Sequence, residues 1–173
     1  DTWLFQSDGR LLRITPDEQT MACRQILGSS HGVRRVISLV QDKEIIWIIS
    51  DKGIYKYSKE NSKLTLALST RKHFHSFRKY ANKFIIGADN GQLYIYDPRK
   101  DDYSIMKFNT SATLTRVKAY DSKHLLITTE NDGFFLTDGY RGEGVHYTIQ
   151  NQLLSNEVNA LYVEDSQKHI WIA

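Results

Sequence analysis

Apolar runs, turn signals and alternating runs follow one another along the chain in a repeating order. The pattern is clearest between Ile45 and Tyr57, where the run IIWIIS is followed by the turn signal Asp51-Lys52-Gly53 and then by IYKY. A continuous apolar run of this length fits a strand buried on both faces, whereas alternation at a period of two fits a second strand. Because the glycine between them can take the positive φ of a tight turn, we predict a β-hairpin here.

The same hairpin pattern recurs from Trp3, from Phe84 and from Leu125. The turn glycines stand at positions 9, 53, 91 and 133, which are 44, 38 and 42 residues apart, and the tryptophans at 3, 47 and 171 keep the same register. Periods near 40 residues with strands throughout are typical of propeller blades. We therefore predict an all-β fold, a β-propeller of four-stranded antiparallel blades, with about four blades in this chain.

We interpret residues 1–173 as a segment of one propeller domain, because no linker interrupts the repeats. Blade hairpins are expected near residues 3–15, 45–57, 84–96 and 125–137, with a fifth blade begun at 157–173. The innermost strand of the second blade is expected from Val33 to Val40. The chain starts with Asp1 and stops inside an expected hairpin, which favours an arc of a larger propeller over the alternative, a small four-bladed ring closed on itself.

Composition excludes several classes of protein. With 40% hydrophobic and 25% charged residues, the chain has the make-up of a soluble globular protein. The net charge of +3 is spread along the sequence, so nucleic-acid binding is not expected. No apolar run approaches the roughly 20 residues that cross a bilayer, and the first residues do not have the pattern of a signal peptide. Cys23 is the only cysteine, and we expect it to be a buried thiol.

Motifs of catalysis are missing from the sequence: it has no G-x-S-x-G, no H-E-x-x-H, no phosphate-binding glycine loop and no cysteine pair. We therefore expect no enzyme, no catalytic residue and no cofactor. His73 and His75 would face one side of a strand, but no third ligand accompanies them, so no metal site is predicted. The three tryptophans are interpreted as blade core rather than as a set for stacking on sugars.

A ligand of a propeller is expected at the loops that enter the innermost strands and at the turns after the second strands, because these gather on one face and loops carry function more than strands do. Each polar residue in these loops is more often plain surface than a ligand contact. The candidate ligand-binding residues are His31, Arg71, His73, His75, Gln152 and Asn156.

The last segment, from Leu153 to Ala173, resembles the two-component regulator propeller repeat. The matching positions are Leu154, Ser155, Asn156, Val158, Leu161, Glu164, Asp165, Ile170, Trp171 and Ile172. The second blade keeps Val36, Asp42 and the core strand Ile46-Trp47-Ile48, followed by the closing Gly53-Ile54-Tyr55-Lys56-Tyr57. This sequence departs from the family where Gln167-Lys168 and Ala173 replace common glycines. The match is strong in one repeat, good in a second and degenerate in the others.

The resemblance implies the periplasmic sensor domain of a hybrid two-component histidine kinase that detects glycan fragments. Such sensors have seven-bladed propellers, a transmembrane helix, a kinase and often a DNA-binding module. The partners that it implies are an oligosaccharide ligand, the rest of the propeller and ectodomain, and a second copy in a homodimer. The alternative is a non-enzymatic propeller scaffold that binds other proteins and no small molecule; a propeller hydrolase or lyase has no support in the sequence.

Overall fold

The computed structural model describes residues 2–16, 21–28, 32–142, 144–151, 153–164 and 168–173. The chain divides into two compact units, which we call unit 1 (Asp1–Arg71) and unit 2 (Lys72–Ala173). Regular structure in the described residues is nearly all β-strand, and consecutive strands pair antiparallel within each sheet.

Unit 1 contains two sheets in which each strand pairs with its neighbours in sequence. The first sheet has three strands: β1 (Thr2–Phe5), β2 (Leu11–Pro16) and β3 (Met21–Leu27). The second has four: β4 (Val36–Asp42), β5 (Ile45–Ser50), β6 (Gly53–Ser58) and β7 (Lys63–Ser69).

Unit 2 contains two four-stranded sheets and a two-stranded one. The first sheet consists of β8 (Phe74–Tyr80), β9 (Lys83–Ala88), β10 (Gln92–Asp97) and β11 (Asp102–Lys107). The second consists of β12 (Leu114–Ala119), β13 (His124–Thr129), β14 (Phe134–Asp138) and β15 (Gly144–Tyr147), and a short 3-10 turn follows at Ile149–Asn151. The last pair is β16 (Leu161–Glu164) and β17 (His169–Ile172).

These sheets confirm the predicted all-β fold with four-stranded antiparallel blades. One strand boundary was wrong, because β4 begins at Val36 and not at Val33. Arg35 has a φ of 46°, which is incompatible with an extended strand, so the chain turns there before β4 starts. Val33 is nevertheless buried, and it packs into the core of unit 1 beside Leu11 and Ile46.

The second strand of each four-stranded sheet is buried on both faces, as its apolar sequence predicts. In unit 2, Ile127 of β13 packs with Ile85 of the preceding sheet. The preceding residue of the strand, Leu126, points to the other face and packs with Val163 of β16. The sheet β12–β15 is therefore held between the two other sheets of unit 2, and each fully buried aliphatic side chain stabilises it by about 1.5–3 kcal/mol.

A one-residue bulge occurs at the same place in β4, β8 and β12. In β8, Phe74 pairs with Ala88 and Ser76 pairs with Gly87, so His75 is the extra residue. The corresponding extra residues are Ile37 in β4 and Thr115 in β12. Because a bulge bends its strand and redirects the side chains around it, the first strand of each blade changes direction shortly after its start.

Two residues, Cys23 and Trp171, have environments that the sequence did not predict correctly. Cys23 is exposed, not buried, because it lies on β3, whose residues 22 to 25 are all exposed. Trp47 is 2% exposed and belongs to the blade core, whereas Trp171 is 61% exposed. Trp3 is intermediate: its ring lies 6.3 Å from that of Tyr57, and its Nε1 donates a hydrogen bond to Gln41.

Asp121, in the turn between β12 and β13, should make folding of unit 2 sensitive to acid. The His124 ring, 2.9 Å from Asp121 Oδ2, and the backbone N–H groups of Lys123 and His124 lower the pKa of Asp121 to about 2. A lowered pKa adds stability that is complete above the ordinary value near 4 and is lost as the pH falls toward 2. Since the carboxylate is partly exposed and solvent screens its interactions, we expect this contribution to be below about 1 kcal/mol.

The measurement is urea unfolding of the wild type and of Asp121→Asn at pH values between 5 and 2. At pH 5 the variant should have a lower free energy of unfolding than the wild type, and this free energy should fall less between pH 5 and pH 2. Asp102→Asn, at an exposed position in the same unit, serves as the control. A wild type and an Asp121→Asn variant with parallel pH profiles would contradict the prediction.

Candidate ligand-binding cleft

A cleft of about 380 Å³ lies along the first strands of the three sheets of unit 2. We call it the inner cleft. Its floor is apolar and includes Val117, Leu126 and Leu161. Its polar lining residues are three cations, three hydroxyl residues and one histidine: Arg78, Arg116, Lys118, Ser76, Thr115, Thr128 and His75.

The bulges give Arg78 and Lys118 equivalent positions in their sheets. The first paired residue after the bulge is Ser76 in β8 and Arg116 in β12. Residues two positions apart on a strand lie on the same face. Arg78 is therefore on the same face of β8 as Ser76, and Lys118 is on the same face of β12 as Arg116. Both side chains line the inner cleft. At the equivalent position of β4 in unit 1 the residue is Val40.

Backbone carbonyl groups hold two of the three cations in place. Arg116 Nη2 donates to the carbonyl oxygen of Asn159 over 3.0 Å, and Lys118 Nζ donates to that of Leu161 over 3.1 Å. Lys118 Nζ also lies 5.1 Å from the ring centre of Tyr162. Arg78 is exposed and makes no hydrogen bond or ion pair with the residues that the structure describes. Within that part of the chain, none of the three cations pairs with a carboxylate.

His75 is at the rim of the inner cleft and is fixed by Asp89. The His75 Nε2 atom is 2.7 Å from Asp89 Oδ1, and the backbone N–H of His73 donates to Asp89 Oδ2 over 2.9 Å. Burial acts to raise the pKa of Asp89, but the hydrogen bonds from the His73 backbone and the His75 ring outweigh it and leave the pKa below its ordinary value. Asp89, which is not a lining residue of the inner cleft, therefore stays ionised and orients the imidazole of the bulged residue.

Acidic residues lie in a second cleft of about 320 Å³ that shares Thr115 and Arg116 with the inner cleft. Its lining includes Glu130 and Glu157, both exposed. The inner cleft itself has no carboxylate among its described lining residues. The charged residues that line the inner cleft are thus cations, whereas Arg116 also borders the second cleft, which includes the two glutamates.

The structure brings some of the predicted site residues together and separates others. His75 lines the inner cleft, and His73 lies beside it with 6.4 Å between the ring centres. Arg71 is exposed and is the last residue of unit 1. Asn156 accepts a hydrogen bond from the backbone N–H of Ile149 through its Oδ1 and one from Gly133 through its carbonyl oxygen, so it ties a loop to a turn. His31 and Gln152 lie outside the described residues.

Sequence reasoning missed Arg78, Arg116 and Lys118. It directed attention to loops, whereas these cations stand on strands. The number of residues between Arg78 and the turn glycine Gly91 differs from the number between Lys118 and Gly133. The repeat spacing in the sequence therefore does not show that the two cations are equivalent. The described residues contain no cluster of three or more His, Cys, Asp or Glu side chains that could hold a metal ion.

Comparison with solved structures identifies the architecture. The similar structures include two of the extracellular domain of one protein from B. thetaiotaomicron, described as a putative one-component system in one and as a putative hybrid two-component system in the other. They match 98% of this chain with TM-scores of 0.73 and 0.72, at 16% and 15% identity. The fold is that of a β-propeller.

Another protein with a similar structure is PorZ, an essential surface component of the type-IX secretion system of Porphyromonas gingivalis. It matches 99% of this chain with a TM-score of 0.69 at 13% identity, and the match covers 30% of PorZ. This chain spans about a quarter of the B. thetaiotaomicron domain, since the match covers 24% of that chain. No protein-family model matches the sequence, and no curated protein matches it significantly. None of the described helical segments has the length and hydropathy of a membrane-spanning helix.

Proposed function

We propose that this chain is part of the extracytoplasmic, periplasmic sensor domain of a hybrid two-component histidine kinase, and that it binds glycan fragments without transforming them. The observation that carries the proposal is the match of 98% of the chain to the extracellular domain of a putative hybrid two-component system. The repeat residues between Leu153 and Ala173 support the same class of protein independently.

The inner cleft supports a binding role. Pockets of about 300–1,000 Å³ accommodate small organic ligands, and the inner cleft has about 380 Å³. Its walls come from β8, β12 and β16, which belong to three different sheets. A ligand that contacts all three favours the arrangement of these sheets that it fits best, and in this way binding can bias the state of a sensor.

The signalling output belongs to parts of the parent protein beyond these residues. We propose that the remainder of a seven-bladed propeller and of the ectodomain completes the sensor, that two copies form a homodimer, and that the bound state is passed through a membrane helix to the kinase. Under this proposal the chain needs no metal or cofactor. The scaffold alternative keeps the fold but replaces the saccharide by a protein partner.

The test is calorimetry on the intact ectodomain with neutral and acidic oligosaccharides, combined with autophosphorylation of the full-length kinase in membranes. We expect at least one saccharide to bind and to change the rate of autophosphorylation. A protein that binds none of the saccharides, and whose kinase ignores them, would contradict the sensor proposal and favour the scaffold.

A further inference from the structure

We propose that the inner cleft binds an acidic saccharide, whose carboxylate or sulfate is held between Arg78 and Lys118. This inference rests on the proposed function and specifies the chemical class of its ligand. The observation behind it is that cations from two adjacent sheets enter one cleft that contains no described carboxylate.

The two cations are not required by the architecture of a blade. Val40 occupies the equivalent position in β4, so the same strand geometry forms around an aliphatic side chain. Exposed arginine and lysine are most often plain solvated surface. Here, however, two of them line one cleft from equivalent positions in adjacent sheets. An anionic ligand in that cleft would be attracted by both.

The cleft is also partly preorganised. Lys118 is half-buried and is held by the Leu161 carbonyl group, so little side-chain freedom remains to be lost on binding. Arg78 is exposed and has no partner among the described residues, so its planar guanidinium can form a bidentate contact with a carboxylate or a sulfate. Together they offer one fixed and one adjustable donor.

The remaining lining fits a sugar better than a bare anion. The hydroxyl groups of Thr115 and Thr128 lie 2.8 Å apart and hydrogen bond to each other, so they offer further hydrogen-bonding capacity to sugar hydroxyls. Outside the lining, next to Lys118, the ring of Tyr162 is 60% exposed, and a pyranose ring that extends beyond the cleft can pack against such an aromatic face. A volume of about 380 Å³ leaves room for more than a single inorganic ion.

The acidic residues of the adjoining cleft limit how much negative charge the ligand can have. Glu130 and Glu157 are close to the end of the inner cleft that contains Arg116. A ligand that extends toward them must be neutral at that end, because like charges repel. The site therefore favours a short acidic saccharide over a long polyanion such as nucleic acid.

The experiment is isothermal titration calorimetry of the intact ectodomain with digalacturonic acid and with neutral galactobiose at the same ionic strength. We expect the acidic disaccharide to bind at least tenfold more tightly. Arg78→Gln and Lys118→Gln should each weaken the binding of digalacturonic acid more than that of galactobiose, and each should remove most of that preference. Lys100→Gln, at an exposed turn of the same unit, is the matched control and should bind like the wild type; circular dichroism shows whether each variant is folded.

Several results would overturn the inference: equal affinity for the two disaccharides, full affinity in Arg78→Gln, binding of inorganic phosphate as tight as that of digalacturonic acid, or tighter binding of a 20-base-pair DNA duplex. If only neutral saccharides bind and change kinase activity, the sensor proposal is supported and the inference of an acidic ligand is contradicted. If digalacturonic acid binds at Arg78 but no saccharide affects the kinase, the proposed binding site is supported and the sensor proposal is contradicted.

Discussion

Replacing Gly133 by alanine should destabilise unit 2 by about 2–5 kcal/mol, one of the two largest effects that we expect from a single substitution. Gly133 has a φ of +67°, which L side chains rarely adopt. An added Cβ would lie only 1.9 Å from the carbonyl oxygen of Tyr147 and 3.3 Å from Leu153 Cδ1. The backbone of β15 would have to move, and the bond from the Gly133 N–H to the Asn156 carbonyl oxygen would be strained as well.

The matched control for Gly133 is Gly139→Ala. Gly139 has a similar φ of +57°, but the atom nearest to its added Cβ is the Lys123 carbonyl oxygen at 3.4 Å. The control therefore has the conformational cost, about 1–2 kcal/mol, without the collision. Urea unfolding of both variants separates the two contributions. Equal losses of stability in the two variants would show that the close approach to Tyr147 has no energetic consequence.

The second strand of each four-stranded sheet could be predicted from the sequence because its signal is local. Ile45–Ser50 and His124–Thr129 each contain an uninterrupted apolar run within a predicted hairpin, and both are strands. A strand that packs on both faces must be apolar throughout. Burial on both faces is therefore visible in consecutive residues, without any knowledge of the remainder of the fold.

The inner cleft could not be predicted in this way because it depends on register. The bulged residues Ile37, His75 and Thr115 have unrelated side chains, so no residue type indicates the offset. A shift of one residue reverses which face a side chain occupies, and Arg78 and Lys118 become equivalent only when the bulge is known. Loops were the expected place for a ligand because they gather on one face and carry function more than strands do, but the cations of this cleft are on strands.

Replacing Ile127 by alanine should cost about 2–5 kcal/mol of unfolding free energy in unit 2. The side chain is 0% exposed and lies in the cluster that joins the sheets β8–β11 and β12–β15. Its neighbours include Ile85 and Phe135, which belong to different sheets. Truncation removes buried methyl and methylene groups and leaves a cavity, because strands on both sides restrict how far the walls can close.

The control is Ile105→Ala, which changes the same type of residue on β11, where the side chain is 47% exposed. We expect a loss below about 1 kcal/mol, since much of this side chain is already in contact with water. Urea unfolding of the two variants compares identical chemical changes in the same unit. If Ile127→Ala loses no more stability than Ile105→Ala, the contact between these two sheets does not stabilise unit 2, and a cleft built across them would have no rigid wall.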